Sequence, residues 1–255
     1  MSQAEGNKPV GICVTKGMRI NIPKGGLQIS VDENGKTSGH LSFEVLIDVT
    51  QHWLSIAYEH VLETEVHSKN VMLHHEANDP ILKAEAMEKE FRSAMQACTS
   101  AAIAIDAFYA TVKNYISIPT ALTKVWRDKR TARYKQIAET FRVGFNIKPE
   151  PSKNLRHILK QVNEWRDLAV HPSGSFTKPM YHPDLKVATE WRFVYYRFFN
   201  AKNLYRGCLS VISALCGVEI SKNKNLEKYL VDTKPKIEEL VQKYEEKYGS
   251  MHENV

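Results

Sequence analysis

From Thr50 onward the apolar residues recur at intervals of three and four, whereas between residues 10 and 48 they alternate with polar ones. That change of period predicts strands first and helices afterwards. The alternating runs are Ile12 and Val14, Ile20 and Ile22, then Leu27, Ile29 and Val31, and finally Leu41, Phe43, Val45 and Ile47. Pro23-Lys24-Gly25-Gly26 and Asn34-Gly35 separate them, as turn-forming residues do. Three or four antiparallel strands are expected, with Asn34-Gly35 at a hairpin tip.

The helical part divides at its own punctuation. Residues 50–77 read as one helix. Asp79-Pro80 reads as an N-cap followed by proline at the first helical position, opening a long helix to about Ile116. Its middle carries Ala94, Ala97, Ala101, Ala102, Ala104, Ala107 and Ala110, which lets a neighbour come close. Pro119 ends it, and a basic helix is expected over 121–144. Pro149 and Pro151 precede a helix that includes Leu155–Val170, and Pro172 discourages its continuation. After a Pro-, Gly- and Ser-rich loop over 172–183, Asp184 is expected to cap a helix to Cys216, closed by Gly217. Trp191, Tyr195, Phe198 and Phe199 have helical spacing within it and are expected in the core. A lysine- and glutamate-rich helix covers 225–248. The expected organisation is a β region at 1–48, a connecting helix at 49–78, a bundle at 79–218 and a charged C-terminal helix at 219–255. The fold class is therefore mainly α, with a small N-terminal antiparallel β appendage.

Composition narrows the setting. Charged residues make up 25% and hydrophobic residues 43% of 255, the balance of an ordinary globular protein. A net charge of +6 fits a polyanionic partner without requiring one. The first residues lack the apolar stretch of a signal peptide, and no run of eighteen apolar residues occurs, so no membrane association is expected. Cys13, Cys98, Cys208 and Cys216 are scattered, with no Cys-x-x-Cys pair, and a reduced, cytoplasmic protein follows as the expectation.

One residue stands out against its surroundings. Leu155, Ile158, Leu159, Val162, Trp165, Ala169 and Val170 fall on one arc of their helix, and Arg166 lies near the middle of that arc as its only charge. A desolvated guanidinium costs several kcal/mol unless it is paired or opens onto a ligand or a second chain. Five residues on stands His171, whose imidazole titrates near neutrality. A guanidinium grips phosphate oxygens with a bidentate fork, and an imidazole acts as acid or base at neutral pH. Together they suit cleavage of RNA by its own 2′-hydroxyl. The bland alternative is a core-edge arginine paired with a carboxylate such as Asp106, beside a histidine that merely faces the helix-end carbonyls.

The string Arg166-Asp167-Leu168-Ala169-Val170-His171 resembles the Arg-polar-…-His motif of HEPN domains, α-helical bundles found in ribonuclease toxins and antiviral defence proteins. The stretch from Ala101 to Phe108 resembles the family's Ala-rich early helix, and the aromatic segment Trp191–Cys216 its closing helix. The resemblance covers about residues 80–217. It implies an up-and-down bundle and a homodimer whose facing helices place two Arg166 and two His171 in one cleft, with Arg166 then lying at a subunit seam. It implies metal-independent endoribonuclease activity of the toxin or phage-defence kind, with RNA as substrate, no cofactor, and an antitoxin or defence-system protein as a further partner. Arg166, His171 and Asp167 are the catalytic candidates, with Asp106 and Asn163 in support. Asp167 either orients His171 or repels phosphate. Some members carry a tyrosine two residues after the histidine that a partner nucleotidyltransferase modifies; here it is Ser173, so that control is not carried over.

Other features add less. Trp53, His60, His67 and His74 repeat every seven residues, about 10.5 Å of helix, so no two of these histidines can share an ion and no metal site is expected. Arg127, Lys129, Arg130 and Arg133, with Lys124 and Lys135 nearby and Trp126 and Tyr134 interleaved, form the best candidate RNA-binding stretch. A solvated basic face is the competing reading. Two functions from different classes therefore stay open: the endoribonuclease, and a non-catalytic HEPN-like module for dimerisation or ligand binding whose N-terminal strands recruit a partner. A third, a nucleic-acid-binding regulator, would use the basic stretch.

Overall fold

A computed structural model describes residues 12–15, 17–171, 174–220 and 223–251. The chain forms two compact units, Met1–Val49 and Thr50–Val255. Pro172 and Ser173, singled out above, lie outside the described residues.

The first unit is a bent two-stranded ribbon. Its strands are β1 (Met18–Asn21), β2 (Leu27–Val31), β3 (Thr37–Leu41) and β4 (Glu44–Ile47). β1 pairs antiparallel with β4 and β2 with β3, so the chain runs out along β1 and β2 and returns along β3 and β4. At the bend Gly26 N–H donates to the Pro23 carbonyl at 2.8 Å, and Ser42 N–H donates to the Gly26 carbonyl at 2.6 Å. A Cβ on Gly26 would lie 2.7 Å from that Ser42 carbonyl oxygen, which is why only glycine fits. The far end is the expected tip: Asp32 Oδ1 accepts from Asn34 N–H and Lys36 N–H, and Gly35 takes a φ of +76°.

The second unit is helical. Its elements are α1 (Thr50–Glu76), α2 (Pro80–Tyr115), α3 (Thr120–Asp128), α4 (Arg133–Gly144), α5 (Pro149–Val170), a short hairpin of β5 (Met180–His182) and β6 (Val187–Thr189), then α6 (Trp191–Tyr195), α7 (Phe198–Cys216) and α8 (Lys224–Tyr248). Asp79 caps α2 as expected, its Oδ1 accepting from Ile81 N–H and Leu82 N–H, two of the donors that the first turn leaves without a carbonyl. α1 lies along α2, and Ala94, Ala97, Ala101 and Ala104 are fully buried there together with Leu54, Ala57 and Val61 of α1. α4, α5, α7 and α8 also touch α2, so one core gathers around it. Phe108 of α2 packs against Phe141 of α4 and Tyr229 of α8, with ring centroids 5.6 and 5.9 Å apart. None of the described helices is long and apolar enough to cross a membrane.

The basic helix expected over 121–144 is two helices. α3 stops at Asp128, Arg130 takes a φ of +46°, and Thr131 N–H turns back to the Trp126 carbonyl at 2.8 Å. Trp126 on α3 and Ile137 and Phe141 on α4 are all buried, and the turn lets each short helix aim its own apolar side inward. No glycine or proline marks the break, so the sequence pattern ran through it.

Asp184 does not cap a helix either. It sits between β5 and β6 and pairs with Arg197. Glu190 is the cap, its Oε2 accepting from Arg192 N–H at 2.7 Å, and the helix is interrupted at Tyr196. Tyr196 is buried and donates its hydroxyl to the Trp165 carbonyl at 2.6 Å, anchoring α5 to this break. The interruption changes the face that follows. Phe199, expected in the core, is 46% exposed, whereas Tyr195 and Phe198 are half-buried against the core and Trp191, also half-buried, packs on the Tyr195 ring.

The two ends of the unit are joined through Glu65 of α1. It accepts from Tyr248 Oη of α8 at 2.9 Å and pairs with Lys247 at 3.0 Å and Lys69 at 2.7 Å. Burial by itself would raise the Glu65 pKa, but these three donors outweigh it and hold the carboxyl at about 2, down from 4.5. A depressed folded-state pKa contributes stability that is complete above the unfolded value and lost as pH falls through the folded one. Thermal unfolding of the chain should therefore show a melting temperature that drops between pH 4.5 and about pH 2. Glu65→Gln should melt lower at neutral pH and lose part of that acid dependence; an unchanged acid profile would exclude Glu65 as its source.

Candidate functional site

The structure assembles Arg166, Asp106, Arg133 and Asp167 into one cluster where α2, α4 and α5 meet. Asp106 of α2 is the hub. Its Oδ2 accepts from Arg166 Nη1 at 2.9 Å, and its Oδ1 accepts from Arg133 Nε at 2.8 Å. Arg166 turns its other edge to its neighbour in sequence, donating from Nε and Nη2 to Asp167 Oδ1 at 3.1 and 2.8 Å. Arg133 completes the group by lying over the Tyr109 ring, 4.4 Å from its centroid. Two guanidinium groups thus face two carboxylates, and the charge of the cluster is balanced within the chain.

Local folding explains why these groups meet. Leu155, Leu159 and Val162 bury one side of α5, and Ile158, Trp165 and Ala169 pack half-buried beside them on the same core. The arc bearing Arg166 is thereby covered by the chain's own helices, with only Val170 at its end left 53% exposed. Arg166 emerges at the margin with a quarter of its side chain accessible, which is where Asp106 also reaches the surface. The guanidinium is accommodated by carboxylates of its own subunit, the arrangement weighed above against a subunit seam.

Not every candidate joins the cluster. His171 is exposed at the C-cap of α5; its backbone N–H donates to the Asp167 carbonyl at 2.8 Å, and its imidazole bonds to none of the described residues. Asn163 is buried, donating Nδ2 to the Leu159 carbonyl at 2.9 Å, a bond internal to α5. Arg127, Lys129 and Arg130 are exposed around the turn between α3 and α4, and Arg127 is loosely paired with Asp128 at 3.9 Å. Trp126 beside them is buried, so it has no ring face to offer a base. Among the described residues no three His, Cys, Asp or Glu side chains converge as metal ligands do.

Sequence reasoning passed over a second polar group. Glu90, on the buried side of α2, accepts from Phe198 N–H at 2.9 Å and so caps the start of α7 from another helix. Burial pushes its carboxyl pKa up, against the hydrogen bonds that favour the anion. Beside it lies a cleft of about 360 Å³ lined by Ser68, Asp184, Arg197 and Phe199. Its only trace in the sequence is a glutamate one helical turn from Ala86 and Ala94, on the face that α2 otherwise keeps small.

The geometry ranks the cluster residues by their cost on removal. Asp106→Ala removes the carboxylate that Arg133 pairs with and leaves Arg166 to Asp167 alone, and should cost about 2–3 kcal/mol, less than breaking a fully buried pair because the site is partly wet. Arg166→Ala leaves Asp106 paired with Arg133 and should cost about 1–2 kcal/mol, and Asp167→Ala, more exposed, about 0.5 kcal/mol. Denaturant unfolding of the three variants measures this order, and equal losses would show that Asp106 is not the hub.

No protein-family model, no curated protein and no solved structure matches this chain.

Proposed function

We propose that the chain is a non-catalytic, HEPN-like helical module that assembles with a protein partner, and that its Arg-polar-…-His motif has a structural role. One observation carries this reading: the Arg166 guanidinium is held on two sides by Asp106 and Asp167 of its own chain. A phosphate approaching it meets a neutral cluster and must displace Asp167 to gain the bidentate edge. In this reading Arg166 clamps α2, α4 and α5, and His171 is a solvated helix-end residue. The N-terminal ribbon, with its apolar side chains exposed, is the part that recruits the partner.

The endoribonuclease reading is favoured by a different observation. Arg166 uses three of its five N–H donors on the described residues and remains partly accessible, and His171 stands about 7.5 Å further along the same helix. In that reaction a base takes the proton of the 2′-hydroxyl, the freed oxygen attacks phosphorus, and the 5′-oxygen leaves with a proton from an acid. One imidazole cannot hold both protonation states at once, so two chains would each supply His171.

Purified chain incubated with a panel of RNAs, without added metal, separates the two. The structural reading expects the same background degradation from wild type and from His171→Ala. It also expects Arg166→Ala to lower stability while His171→Ala leaves fold and assembly unchanged. Cleavage by wild type that falls by roughly 10²-fold or more in His171→Ala would overturn it in favour of the nuclease.

A further inference from the structure

The turn between α3 and α4 holds most of the chain's charge imbalance. Residues 120–136 contain six of the 35 basic residues and one of the 29 acidic ones, so the rest of the sequence is balanced to within one charge. The break that splits the expected helix shapes this stretch. Lys124 and Arg127 stand three residues apart on one side of α3, and Lys129 and Arg130 continue from its end, Arg130 with a φ of +46°. All four are exposed. α4 then begins at Ala132 without a side-chain cap, and the positive end of its dipole adds to their charge.

On other helices, surface cations sit beside a carboxylate one turn away: Lys69 by Glu65 at 2.7 Å, Lys153 by Glu150 at 2.6 Å and Lys243 by Glu239 at 2.8 Å. The turn lacks this compensation. Lys124, Lys129 and Arg130 pair with no carboxylate among the described residues. Asp128 lies loosely by Arg127 at 3.9 Å, and Asp106 is already taken by Arg133 and Arg166. Like charges gathered in this way repel one another, and a polyanion relieves that repulsion. We infer that this turn binds the phosphate backbone of double-stranded nucleic acid, using its charge and none of its bases.

The side chains around the turn select that partner. Single strands are held by stacking bases on open rings, but Trp126 is buried and Tyr134 is half-buried with Lys135 Nζ 5.9 Å from its ring centroid. A helix that lies in a membrane surface inserts several large apolar side chains, whereas α3 leaves only Val125 exposed, at 42%. A duplex carries one phosphate charge per roughly 1.7 Å of its axis, dense enough to meet four cations gathered at one turn. The inference involves neither Arg166 nor His171, so it stands apart from the reading above.

Fluorescence anisotropy of labelled duplexes, titrated with the full chain at salt from about 50 to 200 mM, tests it. Wild type should bind RNA and DNA duplexes of different sequence alike, and single strands of the same length more weakly. Its log affinity should fall against log salt with a slope of about −3 to −4, as counter-ion release from four contacts requires. The double variant Lys129→Gln/Arg130→Asn, in which asparagine tolerates the left-handed turn, should bind roughly tenfold or more weakly at low salt and lose about 2 from that slope. Lys89→Gln/Lys234→Gln removes the same charge from α2 and α8 and should shift affinity by roughly twofold or less. Circular dichroism and melting temperature check that both variants keep the fold. The proposal is overturned by a wild type that binds no duplex at low salt, an affinity indifferent to salt, or equal losses in the two double variants. Tighter binding to single strands, or to phosphatidylserine vesicles in preference to duplex, overturns it as well.

Discussion

Ala94, Ala97, Ala101 and Ala104 put nothing larger than a methyl group on one face of α2, and the close approach of α1 that this permits organises the helical unit. Small side chains bring two backbones together over many turns, and the dispersion contacts of such a seam are individually weak but numerous. With α1 in place, α2 still has other sides to cover, which α4, α5, α7 and α8 share. The aromatic rings of Phe108, Phe141, Phe145 and Tyr229 fill the volume where these helices diverge. Larger residues on the alanine face would push α1 outward and disturb every element that packs on α2.

At the margin of that core, Asp106 turns a packing problem into an electrostatic one. Three helices bring polar side chains to one edge, and Asp106 there accepts from two arginines on different helices. Such a group fixes the relative positions of α4 and α5, since each guanidinium has one geometry that satisfies both its bonds and its aliphatic packing. The same balance makes the cluster a poor resting site for phosphate.

Two other polar groups show the same economy. Glu90 caps α7 from α2, and Glu65 joins α1 to the last turn of α8. Both are carboxylates placed where a helix end or an amine would otherwise lack a partner. Neither needs a ligand to account for its position.

Element type was legible wherever the cue is local. The period-two runs, Asn34-Gly35 at the hairpin tip, Asp79-Pro80 at the start of α2 and Gly217 at the end of α7 all follow from backbone preferences of a few adjacent residues. Arg166 was legible as an anomaly, and Asp106 as its prospective partner, because helical spacing places the first amid an apolar arc and the second at the rim of the apolar face of α2. The break between α3 and α4, the kink at Tyr196 and the outward turn of Phe199 were not, since no glycine or proline marks them and each is set by what a distant ring needs to bury. The convergence of Arg133 with Arg166 was equally hidden: thirty-three positions separate them, and only the packing of α4 and α5 on α2 brings them to one carboxylate. Periodicity and caps are written in neighbouring residues, so the sequence determined them alone; which charges meet, and therefore whether the arginine stays available for a substrate, was decided by the tertiary structure.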